Sequence, residues 1–136
     1  MRLIPDEVWG AANIWAEARG EPHEGQVAVG FVVRERARLR YSSDGSVVGT
    51  VWRPSQFSWT LSSDPQRLQV LAADDIHLSV REARDAWLES ATTTILPPKT
   101  VLYHADYVNP HPAWASSPDI EFVRQIGRHL FYKLRG

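Results

Sequence analysis

The feature that most constrains this chain is a helix-like stretch broken at a Gly and a Pro and then resumed. Apolar residues at Val8, Trp9, Ala12, Trp15 and Ala16 follow Pro5 and Asp6. They form the stripe of a helix with one buried face. Gly20 then offers a stop and Pro22 a restart. The next run, EGQVAVGFVVRERARLR, carries two patterns at once. Val27, Val29, Phe31 and Val33 alternate as in a strand. Glu24 near the start and Arg34, Arg36, Arg38 and Arg40 near the end suit a helix dipole. Its length decides for a helix.

Turn chemistry in SSDGSVVGTVW leads into a short helix or turn. Asp64 and Pro65 serve as cap and first position of a helix running to about Ala73. Ser79 with Glu82 forms a capping box for a helix to about Ala91. LPPK ends that region, and TVLYHA reads as a short strand. YVNPHPAWASSP is an irregular loop, and EFVRQIGRHLFYKL is two short strands joined at Gly127. Several helices followed by a small sheet make an α+β domain. At 136 residues without repeats or linkers, one domain spanning 1–136 is expected.

Composition removes several function classes. There is no Cys, so disulfides and thiolate metal sites are excluded. A formal net charge of -1 gives no basic field for nucleic acid. The Arg34–Arg40 run is expected to be solvated cations at a helix C-terminus. No run approaches the ~20 apolar residues of a membrane span. MRLIPDEVWG places Pro and two acids where the apolar core of a signal peptide would begin. A soluble monomer without cofactor, not exported by the usual route, is the expectation. Six Trp are each expected in the core, and as a set they suggest an aromatic-lined groove.

Glu17 is the residue with the clearest chemical prospect. In the last turn of the first helix it faces the negative end of the dipole, and Trp15 adds desolvation. Both push a carboxyl toward the protonated form that cleavage of a glycosidic bond needs. Arg19 opposes this if its guanidinium lies close. The alternative is an ordinary solvated carboxylate at a helix end. Glu21 is the nearest second carboxylate, with a capping or ion-pair role beside Arg19 or Arg36 as its other reading. Asp64 and Asp106 are weaker candidates.

NIWAEARGEPHEGQVAVGFVV resembles the signature of the cell wall hydrolase family that includes the spore-cortex-lytic enzymes. Glu17 to Pro22, Gly25 and Gln26 match that family's pattern. Gln56-Phe57-Ser58, YHADYVNP with Trp114 and Ala115, and IGRHLFY follow in the same order, so the likeness spans residues 13 to 132. The resemblance implies a lysozyme-like fold, mostly helical with a small antiparallel sheet. It implies cleavage of peptidoglycan glycan strands between N-acetylmuramic acid and N-acetylglucosamine, often as a lytic transglycosylase. Glu17 falls on the family's catalytic acid, which protonates the glycosidic oxygen and then takes the proton of the muramic 6-hydroxyl.

The same resemblance points to substrate contacts at Gln26, Gln56, Ser58, Tyr103, His104, Tyr107, Asn109 and Trp114. Gln26 either orients Glu17, binds an N-acetyl group or satisfies buried backbone. His129 stands where the family has a His before its last aromatic strand, in a structural hydrogen bond. Two departures appear. Glu35-Arg36 replaces the family's Asn-Arg, adding negative charge, and the loop from His104 to Trp114 is longer than in the spore enzymes. Three alternatives accompany the glycan reading. One is a hydrolytic muramidase with Glu21 as second carboxylate. Another is a zinc amidase or peptidase on His104, Asp106 and His111, whose spacing fits no ligand pattern. The third is a non-catalytic wall-binding domain. A phage endolysin is the expected setting, with a bacterial remodelling enzyme as the other.

Overall fold

The computed structural model describes residues 6–53 and 78–136. Helix α1 (Asp6–Ala18) and helix α2 (His23–Leu39) meet at a three-residue break before Pro22, which stands at the N-cap of α2. α2 resolves the two-pattern run, and its setting explains the ambiguity. Gly25 through Gly30, Val32 and Val33 are all buried, so the helix is apolar nearly all round. Alternating valines on such a helix satisfy every side at once. Short helix α3 (Val47–Val51) follows, capped by the Ser46 hydroxyl, which accepts from Gly49 N at 2.9 Å. Helix α4 (Leu78–Ser90) ends within one residue of the expected Ala91. The Ser79 side chain of the capping box, the helix expected from Asp64 to Ala73, and Gln56, Ser58 and Trp59 lie outside the described residues.

α1, α2 and α4 pack together around Ile14, Val29, Val32, Val33 and Trp87. Two glycines set how closely they approach. A Cβ at Gly10 would fall inside the Trp87 ring, and one at Gly30 would sit 2.9 Å from Ser90 Oγ. The C-terminal part forms one antiparallel sheet of β1 (Thr100–Ala105), β2 (Ile120–Ile126) and β3 (His129–Leu134), in the order β1-β3-β2. TVLYHA is thus β1, and the hairpin turns at Gly127, as the sequence predicts. The intervening loop holds one 3-10 turn, Ala113–Ser116. The α+β class, mostly helical with a small antiparallel sheet, is as expected.

The sheet has two unlike faces. Phe131, Ile126 and Tyr103 join the helical core. Tyr132, Leu102, Ile120 and Val101 form a second cluster, covered by Trp114, Ala115, Leu39 and Tyr41. Glu35 ties α2 to the start of β1. It holds Arg38 through two contacts of 2.7 Å and accepts from Lys99 N at 2.7 Å. The hydrogen bond from Arg38, reinforced by the Lys99 amide, keeps its carboxyl below the usual range despite burial. The negative charge that departs from the family pattern is therefore neutralised locally.

Candidate active site

Glu17 is half-buried in the last turn of α1. The Tyr103 phenol, projecting from β1, donates to its Oε1 at 2.7 Å. Burial first, then the Glu17 charge and this hydrogen bond, pushes the phenol well above its usual 10, so it remains a donor. Asn13, one turn earlier on α1 and fully buried, adjoins the same phenol and acts against that rise. Beneath them lies Arg36, 4% exposed, whose Nε donates to Val101 O at 2.6 Å. Burial lowers its affinity for the proton, while Tyr103, Tyr41 and Glu17 act to hold its charge. Arg34 is half-buried over the Trp87 ring, 3.9 Å from its centroid. The expectation of a solvated arginine run is thus corrected for both. On a helix surrounded by protein, only Arg38 and Arg40 reach the exposed side.

Arg19 follows the helix that carries Glu17. Its guanidinium lies over the Trp15 ring at 4.3 Å and bonds the carbonyls of Trp15 and Ala16. It closes the C-terminal end of α1, where carbonyls lack helical partners.

Glu17 opens on a cleft of about 260 Å³, lined also by Ala18, Gly20, Glu21, Ala105, Tyr107, Arg128 and His129. Glu21 Oε1 accepts from the backbone N–H of Arg128 at 2.6 Å, joining the α1–α2 loop to the hairpin tip 107 residues away. Neither Arg19 nor Arg36, the partners expected from sequence, makes this contact. His129 Nδ1 stands 3.5 Å from the same oxygen without forming a hydrogen bond. Burial drives the imidazole toward its neutral form, against the pull of Glu21 and Asp106. The expected hydrogen bond of His129 is therefore absent at Nδ1 among the described residues. Its ring packs edge-on to Tyr103, centroids 5.0 Å apart.

Of the residues singled out from sequence, Glu17, Glu21 and Tyr107 line the cleft and Tyr103 supports it. Gln26 is 3% exposed; its Nε2 donates to Glu21 O at 3.2 Å, and its Oε1 has no partner among the described residues. His104 faces the other side of the sheet. Its two ring nitrogens meet Ala105 O at 2.8 Å and Tyr132 Oη at 2.9 Å. Trp114 and His111 pack on that ring, and Asn109 is exposed in the covering loop. None of the five described Trp lines the cleft. Trp9 packs edge-on to Trp52, and Trp87 is buried. Among the described Trp, each ring has a packing partner instead of a place in this cleft. Among the described residues, no three His, Asp or Glu gather as metal ligands. Nor is any helix there long and apolar enough to cross a membrane.

Arg128 and Asn13 are the site residues that sequence reasoning missed. Asn13 is a polar residue within an apolar stripe, which is a usable signal. Arg128 follows a turn glycine and has no local mark of a cleft position.

A family model described as cell wall hydrolase matches residues 20–132. The spore cortex-lytic enzyme of Oceanobacillus iheyensis is 34% identical over 127 residues, covering 90% of this chain and 40% of that protein. The one from Bacillus subtilis is 33% identical over 135 residues, covering 96% of this chain and 36% of that protein. The chain thus spans well under half the length of these relatives. Among solved structures, the catalytic domain of the germination-specific lytic transglycosylase SleB from Bacillus anthracis gives a TM-score of 0.65 at 24% identity. It covers 96% of this chain and 97% of its own. The catalytic domain of the Bacillus cereus SleB protein gives 0.71 at 24% identity, covering 94% and 89%. These two likenesses establish the fold.

Proposed function

The chain belongs to the cell wall hydrolase family, and from that premise we propose that it cleaves peptidoglycan glycan strands as a lytic transglycosylase with Glu17 as sole acid and base. The observation that carries the reading is the unequal treatment of two carboxylates at one cleft. Glu17 accepts from a neutral donor, the Tyr103 phenol. Glu21 has one oxygen committed to a backbone amide that anchors the hairpin. A hydrolase with two carboxylates needs the second free to attack or to activate water. A transglycosylase needs one group in two protonation states.

In the proposed step, Glu17 gives its proton to the glycosidic oxygen as the bond from muramic C1 to that oxygen breaks. The muramic 6-hydroxyl then bonds to C1 and returns its proton to Glu17. No water is consumed and a 1,6-anhydro end results. Tyr103 keeps the carboxyl oriented through both transfers, since its phenol stays protonated.

The test is release of glycan fragments from purified sacculi by wild type, Glu17→Gln and Glu21→Gln. Glu17→Gln should lose about a hundred- to ten-thousandfold in rate while melting like wild type. Glu21→Gln keeps an oxygen for the Arg128 amide and should retain most of the rate. An active Glu17→Gln, or cleaved peptides with intact glycan, would contradict the proposal. Equal losses at unchanged melting would favour a two-carboxylate hydrolase. Exhaustive chelation should leave the rate unchanged, because both ring nitrogens of His104 are already engaged.

A further inference from the structure

We propose that Arg128 binds a carboxylate carried on the lactyl arm of muramic acid, making the cleft selective for strands that bear that charge. The inference rests on the glycan-cleaving reading above and adds to it a determinant of substrate.

Arg128 lines the same cleft as Glu17. Its backbone is fixed on both sides. The N–H donates to Glu21 Oε1 at 2.6 Å, and the carbonyl accepts from Asp106 N at 2.7 Å. Gly127 before it has φ +58, and a Cβ there would lie 2.8 Å from Glu21 Oε1 and 3.0 Å from Pro22 Cδ. Only glycine lets the hairpin tip seat this closely with that backbone. The Arg128 side chain therefore leaves from a rigid point.

Its guanidinium is exposed and has no hydrogen-bond or ion-pair partner among the described residues. Other arginines of the chain serve the fold. Arg19 closes a helix, Arg34 stacks on Trp87, Arg36 holds Val101 and Arg38 holds Glu35. Glu21 spends an oxygen on the Arg128 amide rather than on its side chain, and Asp106 Oδ2 accepts from Gln125 at 3.3 Å. A residue that lines the cleft with two glutamates thus carries an unspent cation.

Sugar hydroxyls and acetamido groups need no such cation. A carboxylate does, since Glu17 and Glu21 would repel it otherwise. A guanidinium fork also fits a carboxylate in two-point geometry. Muramic acid differs from N-acetylglucosamine by its 3-O-lactyl arm. That arm ends in a free carboxylate on bare strands, and in stem-peptide carboxylates on substituted ones.

The experiment compares wild type, Arg128→Gln and Arg128→Lys on three soluble glycan preparations. One carries stem peptides, one has had them removed by an amidase, and one has every carboxylate converted to its methylamide. Arg128→Gln should raise the half-saturating strand concentration about fivefold on charged strands, as expected for a solvent-screened pair. It should match wild type on the methylamide, with Lys intermediate. The wild-type preference should shrink as salt rises. A loss persisting after amidase treatment assigns the lactyl carboxylate, and a loss only with peptides present assigns the stem. Equal behaviour of Arg128→Gln and wild type on all three preparations overturns the proposal. So does an equal loss on the methylamide. Wild type that cleaves none of the three refutes the glycan-cleaving reading, and this proposal falls with it. Wild type that cleaves, with no effect of Arg128→Gln, refutes this proposal alone. Melting temperatures should agree among the variants, since the guanidinium holds nothing in the fold.

Discussion

Tyr103 and His104 are neighbours in sequence and face opposite surroundings. On the inner face of the sheet, Tyr103 reaches Glu17 and packs beside His129 and Phe131. On the outer face, His104 stacks on Tyr132 at 5.4 Å and is overlaid by Trp114 and His111. Both faces are aromatic and both contain a His beside a Tyr. Among the described residues, the inner one opens on a cleft with a carboxyl. The period of two along a strand sends adjacent residues to different chemistry. An aromatic pair in a motif therefore need not act as a pair.

That contrast breaks down if the two faces respond alike to substitution. The largest expected effect is on the inner face. Tyr103→Phe removes the donor to Glu17 and should lower the cleavage rate about ten- to a hundredfold, as for a lost hydrogen bond to a charged group. Its pH–rate profile should move as well, which a purely structural loss would not cause. The outer-face counterpart is His104→Phe, which keeps the stack but strands the Tyr132 hydroxyl. It should cost about 1–3 kcal/mol in unfolding free energy, with the rate per folded molecule unchanged. Denaturant titration alongside product release separates the two.

Gly127→Ala sharpens the same comparison from the hairpin tip. The left-handed backbone and the contact with Glu21 should cost about 1–2 kcal/mol. Its effect should fall on the inner face, lowering cleavage and leaving the Trp114 environment, read by fluorescence, unaltered.

The smallest effect is a pH slope from His129. Burial sets its folded value below the ordinary 6.5. The unfolded chain therefore binds more protons in the window below 6.5. The stability this contributes is complete above that pH and lost as pH falls through the window. His129→Gln should flatten part of the acid-side fall in melting temperature. An unchanged slope would show that the imidazole is not held neutral.

Much of this was legible in the chain because the signals were local. Pro22 restarts a helix, SSDGSVVGTVW leads through a turn into a short one, TVLYHA is a strand from end to end, and Gly127 turns the hairpin. Glu17 was marked by its place at a helix end beside a Gly and Pro. What stayed hidden depends on distant contacts. The partner of Glu21 lies 107 residues away. The burial of Arg36 reflects what surrounds α2, and charge patterning cannot report that. The assignment of Trp114 to a structural cluster required knowing which sheet face its loop covers.

The most direct test of the central claim is to digest purified sacculi in water enriched in oxygen-18 and weigh the released muropeptides. A transglycosylase with Glu17 as its sole acid and base should give 1,6-anhydro muramic ends carrying no label. Reducing muramic ends with one labelled oxygen would contradict it. Water would then be the acceptor, and a second carboxylate would be needed to activate it or to form the intermediate it attacks.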